Sequence, residues 1–151
     1  HKVTSTIRTH RERTNERPWI MKVIQSSGTR KRAIARCTLR PGTGVVRVNS
    51  QLLYSIKPDL IRERMEEPLV IAGETAKQVD LVVRTSGGGF SSCAEAARLA
   101  IAKALAQYDK NLQQEFLEYD RNLLVADVRL KETHKPNRHG KARSKTQKSY
   151  R

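Results

Sequence analysis

Apolar and polar positions alternate through "MKVIQSSGTRKRAIARCTLRPGTGVVRVN", first around Lys22 and Val23 and then from Ala33 to Leu39. A period of two predicts strand, and the PGTG of residues 41–44 predicts a tight turn into Val45–Val48, so this region reads as a β-hairpin. The pattern then changes period. "KPDLIRERMEEPLVIAG" places Asp59 just after Pro58, apolar residues at Leu60, Ile61 and Met65, and a second proline at Pro68. These are the marks of a short helix that stops at Pro68. "VDLVVRT", from Val79 to Thr85, is a β-branched run that predicts a buried strand leading into Gly87, Gly88 and Gly89. "FSSCAEAARLAIAKALAQY" is the clearest helix, with Ser92 and Glu95 spaced as a capping box and Ala97, Ile101 and Leu105 on one face. "QQEFLEYDR" predicts a weaker helix, and Asn122–Leu130 a last strand.

The predicted order is β-β-α-β-α-α-β, without internal repeats. It specifies an α/β (α+β) two-layer fold, a sheet with helices on one face. Regular patterning ends near Lys131, which divides the chain into a basic N-terminal extension (1–20), a globular domain (21–130) and an extended basic C-terminal tail (131–151).

Charge sharpens that division. The 151 residues carry 30 Lys and Arg against 15 Asp and Glu, a formal +15. Residues 1–20 and 131–151 hold +3 and +7, so 41 flanking residues carry +10 of it. Arms of one sign seek polyanions. A membrane surface would ask for amphipathic periodicity or long apolar runs, and the arms have neither. The first residues lack the apolar core of a secretory signal, so a soluble intracellular protein is expected. The tail has too few apolar residues to form a core, yet its 21 residues, extended, reach up to roughly 70 Å.

Two constellations bear on function. In "GTRKRAIARCTLR", Arg30, Arg32, Arg36 and Arg40 share a parity in a predicted strand, beside Lys31, while Ala33, Ala35, Cys37 and Leu39 take the other. No Asp or Glu occurs from position 17 to 58, so nothing local neutralises this row. A solvated sheet face is the plain reading, and guanidinium contact with phosphate is the functional one. In "SGGGFSS", Gly87, Gly88 and Gly89 deliver the chain into a helix N-terminus, where backbone amides can meet phosphate. The spacing is neither a P-loop nor a dinucleotide fingerprint. The glycines also permit positive φ and close backbone approach, either to the chain itself or to RNA.

Signals for catalysis are poor. The carboxylates Glu63, Glu66, Glu67, Glu115 and Glu118 are scattered over predicted helix surfaces. His1, His10, His134 and His139 all lie in the arms, without metal-ligand spacing. Cys37 and Cys93 read as small core residues rather than a disulfide or metal pair. No cofactor, metal or small-molecule substrate is expected, and no enzyme. Two rivals to an RNA-binding structural protein are a phosphoryl-transfer or RNA-processing enzyme using the glycine loop, and a free-standing chromatin-like or single-strand binder. The first needs a carboxylate or lysine beside the glycines, and the second needs aromatic platforms, which a 5% aromatic content supplies sparingly.

Five motifs in order, "MKVIQSSGTRKRAIARCTLRPGTG", "EPLVIAGE", "GGGFSSCAEAARLAIAKAL", "YDRNLLVADVR" and the terminal "QKSYR", resemble the small-subunit ribosomal protein nine family, in its archaeal and eukaryotic-like branch. The likeness runs from Met21 to Arg151 and leaves residues 1–20 outside, and Cys93 stands where the family usually has Gln. The resemblance implies a fold similar to the second domain of small-subunit ribosomal protein five. It implies a place in the cytoplasmic ribosome, on ribosomal RNA among neighbouring proteins of the small-subunit head. The arginine row, the glycine loop and Lys135, Arg138, Lys141, Arg143 and Lys145 would then meet ribosomal RNA. Lys148, Tyr150 and Arg151 would approach the transfer RNA in the peptidyl site.

Overall fold

The computed structural model describes residues 23–138, 140, 142 and 143. The N-terminal extension and the tail positions Lys141, Lys145, Lys148, Tyr150 and Arg151 lie outside the described residues. Five strands, β1 (Ile24–Arg30), β2 (Ala33–Pro41), β3 (Val46–Val48), β4 (Gln51–Leu52) and β5 (Val79–Ser86), form one mixed sheet in the order β1-β2-β5-β3-β4. The helices are α1 (Asp59–Ala72), the single turn α2 (Glu74–Lys77), α3 (Phe90–Tyr108) and α4 (Asn111–Tyr119). The long helix α3 packs across β1, β2 and β5, and α1 and α4 lie against α3. The expected α+β fold is present.

Alternation sorts the sheet's two faces. Ile24, Ala33, Ala35, Cys37, Leu39, Val79, Leu81 and Val83 point to the helices and are buried, while Arg36, Arg40, Val82 and Arg84 stand on the open face. The helix side is built from small residues: Ala94, Ala96, Ala97, Ala100, Ala102 and Ala104 are all buried. Gly28 of β1 faces them. A Cβ there would come 2.2 Å from the Ala96 carbonyl oxygen and 2.8 Å from the Ala100 amide nitrogen. One turn of the strand away, the Ser26 hydroxyl donates to the Ala100 carbonyl at 2.7 Å. Strand and helix therefore meet backbone to backbone.

Several expectations are corrected. The PGTG segment does not close a hairpin, because β5 lies between β2 and β3 and pairs antiparallel to the former and parallel to the latter. The segment crosses the end of β5 instead, where the Asp80 carboxylate accepts from the amides of Thr43 at 2.8 Å and Val45 at 2.9 Å. The real hairpin joins β1 to β2 through Lys31 and Arg32, with Lys31 at φ 54. Pro68 sits inside α1, which runs on to Ala72 because the proline ring is buried in the core and Ala72 beyond it is buried too. Helix α3 starts at Phe90, so Ser92 is its third residue rather than its cap. The Ser92 hydroxyl accepts from the Gly89 amide at 2.9 Å. Residues 122–130 form no strand: a 3-10 turn at Arg121–Leu123 is followed by an irregular segment, with Leu123 buried beneath α3 and α4 and Val128 exposed.

The close approach at Gly28 predicts a specific sensitivity. Gly28→Ala forces its methyl into the α3 backbone, which no rotamer change relieves, and should cost about 1–3 kcal/mol, the usual penalty of overpacking. The exposed neighbour change Ser27→Ala should stay within about 0.5 kcal/mol. Urea unfolding of the two variants checks this, with a lowered midpoint at constant slope for Gly28→Ala alone.

Candidate nucleic-acid interface

The open sheet face gathers guanidinium groups from three strands. Arg36 on β2 stands directly across from Arg84 on β5, Arg40 lies further along β2 opposite Asp80, and Arg47 of β3 pairs with Val82 between them. Cross-strand partners share a face, with Cβ atoms about 5 Å apart, and like charges placed so repel. None of the four forms an ion pair among the described residues. The carboxylate on that face, Asp80, is occupied by the Val45 and Thr43 amides, whose hydrogen bonds hold its pKa below the ordinary aspartate value. A shallow groove lined by Gln25, Ser27, Arg36, Thr38, Arg40 and Arg84 runs over this surface.

Arg36 and Arg40 were legible as outward-facing from alternation in β2, whereas Arg47 and Arg84 were not singled out. The signal for Arg84 was present in "VDLVVRT", where Asp80, Val82 and Arg84 share one parity against the buried Val79, Leu81 and Val83.

Arg30 does not belong to the row. It pairs across the hairpin with the buried Ala33, and so lies on the helix side of the sheet. Its side chain is only 17% exposed and forms ion pairs with Glu95 of α3 and, at 2.6 Å, with Asp127. The turn through Lys31 and Arg32 breaks the parity assumed from the sequence. Arg30 is thus a clasp between hairpin, helix and the segment after residue 124, and Arg64 of α1 joins Glu95 at 3.2 Å.

Lys31 and Arg32 project from the hairpin tip beside Gly87, Gly88 and Gly89. Gly87 and Gly88 have φ of 72° and 68°, and a Cβ on them would come within 2.6 Å of the Arg32 carbonyl oxygen and 2.9 Å of the Ala33 Cβ. Their freedom is needed for the chain's own close packing. Gly89 has open space around it. The Cys93 thiol donates to the Gly87 carbonyl at 3.1 Å, closing the loop from the helix side. The other thiol, Cys37, is buried under α3, and burial pushes its pKa up to about 12. In the tail, Lys135 and Arg138 are exposed, and Arg143 turns back to Glu132 at 2.5 Å. Among the described residues, no group of three or more His, Cys, Asp or Glu side chains could hold a metal ion.

Asp127 fixes how the chain leaves the domain. Hydrogen bonds from the Arg129 side chain and amide, and the nearby Arg30 charge, hold its carboxyl well below the usual carboxylate range. A carboxyl whose folded pKa is depressed stabilises the fold above its unfolded pKa, and that contribution is lost as pH falls through the folded value. The clasp should persist at neutral pH and open only in acid. A carboxyl-carbon NMR titration should give Asp127 a midpoint clearly below about 3.9, and Arg30→Gln should raise it; a midpoint at or above that value would mean that neither Arg129 nor Arg30 holds the carboxylate, and one unmoved by Arg30→Gln would mean no clasp.

A family model described as "Ribosomal protein S9/S16" matches residues 28–151. Proteins called "Small ribosomal subunit protein uS9" from Methanococcus maripaludis strains C5 and C7 are each 41% identical over 134 residues, covering 87% of this chain and 100% of theirs. The same name, identity and coverage hold for a relative in a third strain of that species. The strands that carry the open arginine face, the glycine loop and α3 all lie within the matched span, and the chain belongs to the ribosomal protein S9/S16 family.

Proposed function

We propose that this protein is a structural, RNA-binding component of the small ribosomal subunit in the cytoplasm. In this reading its open sheet face and hairpin tip seat on ribosomal RNA in the subunit head, and its C-terminal tail reaches toward the peptidyl-site transfer RNA. The observation that carries RNA binding is the group of Arg36, Arg40, Arg47 and Arg84 on one bare face, with Asp80 engaged by backbone amides. Family membership supports the assignment to the ribosome. Such a surface suits a phosphate backbone: guanidinium forks grip phosphate oxygens in pairs, and the contacts ignore base sequence. No described helix is long and apolar enough to cross a membrane.

The tail's role follows from its composition. From position 141 on, Lys141, Arg143, Lys145, Lys148 and Arg151 accompany Tyr150 with no Asp or Glu, and Glu132 is the one acidic residue of the tail. A segment of that kind has polyanion as its partner, and the family resemblance directs its last residues, Lys148, Tyr150 and Arg151, toward transfer RNA, with the preceding bases on ribosomal RNA.

Two measurements test these parts separately. The double change Arg36→Gln and Arg84→Gln should weaken binding to ribosomal RNA and flatten the slope of log affinity against log salt by about 1.5, since each phosphate contact contributes roughly 0.7–0.9. An unchanged slope would leave the face in solvent. A chain stopping at Gln147 loses only Lys148, Ser149, Tyr150 and Arg151, none of them aliphatic, and should enter small subunits normally. At one or two charge-assisted hydrogen bonds of about 1.5–3 kcal/mol each, partly compensated by codon pairing, peptidyl-site transfer RNA affinity should fall roughly tenfold. Unchanged affinity at full incorporation would confine the tail to ribosomal RNA.

A further inference from the structure

The chain has two phenylalanines, and they are placed oppositely. Phe116 of α4 is fully buried. Phe90, the first residue of α3, is 84% exposed. An aromatic ring left in water forgoes the stabilisation that burial would bring. Phe90 does not stand alone. It lines a cleft of about 1370 Å³ between the hairpin tip, the start of α3 and the irregular segment after Asp127, together with Gly88, Gly89 and Leu130. Lys31, Arg32 and Lys131 stand around the same cleft.

The charges there do not cancel. Of the two carboxylates lining the cleft, Glu95 is held by Arg30 and Arg64, and Glu132 by Arg143. Arg129 is bound to Asp127 at 2.6 Å. Lys31, Arg32 and Lys131 form no ion pair among the described residues. The result is an apolar floor with an unneutralised cationic rim. An apolar peptide or a lipid tail would find the floor but waste the rim, and a phosphate alone would use the rim and ignore the floor. A nucleotide uses both.

We propose that this cleft receives one unstacked RNA nucleotide, its base lying on the Phe90 ring and its flanking phosphates against Lys31, Arg32 and Lys131. The inference rests on the RNA-binding reading above and adds to it the kind of RNA element recognised. A paired base in a duplex hides its faces in the stack, so only a bulged, looped or terminal nucleotide can offer a face to an aromatic ring. The cleft has room for such a base with its neighbouring sugars and phosphates. It is also held in shape without ligand. Gly87 and Gly88 press the loop against the hairpin tip, and the Arg30 clasp ties the far wall to α3. The floor is thus preorganised, which lowers the cost of binding.

The test uses the full chain and two labelled RNA hairpins, identical except that one carries a single extruded adenosine, with Kd measured across a range of salt. The native chain should prefer the bulged hairpin by about 5- to 150-fold, the span that base–aromatic stacking gives. Phe90→Ala should lose that preference and bind both hairpins as the native chain binds the paired one, while Phe90→Trp should keep it. Arg36→Gln with Arg84→Gln should weaken both hairpins equally and leave the preference intact. If the native chain binds both hairpins with equal, salt-dependent affinity, or if Phe90→Ala retains the preference, the proposal is overturned while the RNA-binding reading stands. If neither hairpin shows salt-dependent binding, both fall. If Phe90→Ala binds both hairpins as the native chain does but no longer enters small subunits, the cleft belongs to a protein neighbour and the proposal is wrong.

Discussion

The contact of α3 with β1 at Gly28 sets the rest of the domain. Because Ala96 and Ala100 meet Gly28 with no side chain between them, the helix axis comes as close to the sheet as backbone allows. The consequence is a thin core in which alanines occupy the helix side, and Leu39, Leu81 and Val83 on the sheet interlock with Ile101 and Leu105. A helix held that closely has a fixed start as well as a fixed height. Its first residue, Phe90, is left exposed, and the glycine loop before it packs against the Lys31–Arg32 turn. Both candidate surfaces therefore depend on this one packing decision. Among the described residues the open face is uncovered because α1, α3 and α4 lie on the other side, and the cleft lies where the helix begins beside the hairpin tip.

Charge is segregated to match. On the helix side, acidic residues are matched to bases: Glu67 and Asp120 with Arg98 at 2.5 and 2.9 Å, and Asp59 and Glu66 with Arg62 at 3.1 and 3.3 Å. The exposed Arg62 pairs each contribute about 0–1 kcal/mol, while Arg98, only 17% exposed, ties α3 to α1 and to the chain after α4. These carboxylates lie on the helix side, and the one on the sheet face, Asp80, is held by the Thr43 and Val45 amides across from Arg40, while Arg36 and Arg84 oppose each other. With Cβ atoms about 5 Å apart the two guanidinium groups can diverge into water, where even a 5 Å separation of charge would cost no more than roughly 1 kcal/mol. That is a cost a folded domain can carry alone, and one that contact with a polyanion reverses in sign.

The sequence was most legible where information is local. Alternation in Ala33–Leu39 and the helical spacing of Ala97, Ile101 and Leu105 each reported the face a residue would take, whereas Val79–Thr85, expected to be buried as a run, alternates instead, with Val82 and Arg84 on the open face. Pairing was illegible, since nothing in PGTG says that a strand some forty residues later will insert between its two flanks. Arg30 shows the same limit at short range: one turn with a positive φ at Lys31 moved it from the predicted row to the buried clasp. Asn122–Leu130 had strand composition but no ladder to join, and its hold on the domain is the buried Leu123 at its start and the carboxylate of Asp127 further along. Pro68 was read as a stop because proline removes a backbone donor, but burial of its ring and of Ala72 beyond it outweighs one missing hydrogen bond.

The two surfaces differ in what they can recognise. Four arginines on a flat face can hold a phosphate backbone in place, but a backbone carries no sequence, so that face alone would bind many RNAs in many registers. A ring in a cationic cleft adds a demand of another kind, for an unstacked base at a defined distance from the gripped strand. The clasp from Arg30 to Asp127 then makes the geometry common to a third element: the chain beyond Lys131 departs from the wall of the same cleft. A tail of about 20 residues can sweep a volume tens of ångströms across when its origin is free. An origin held beside the Arg30–Asp127 ion pair therefore limits what such a segment can meet.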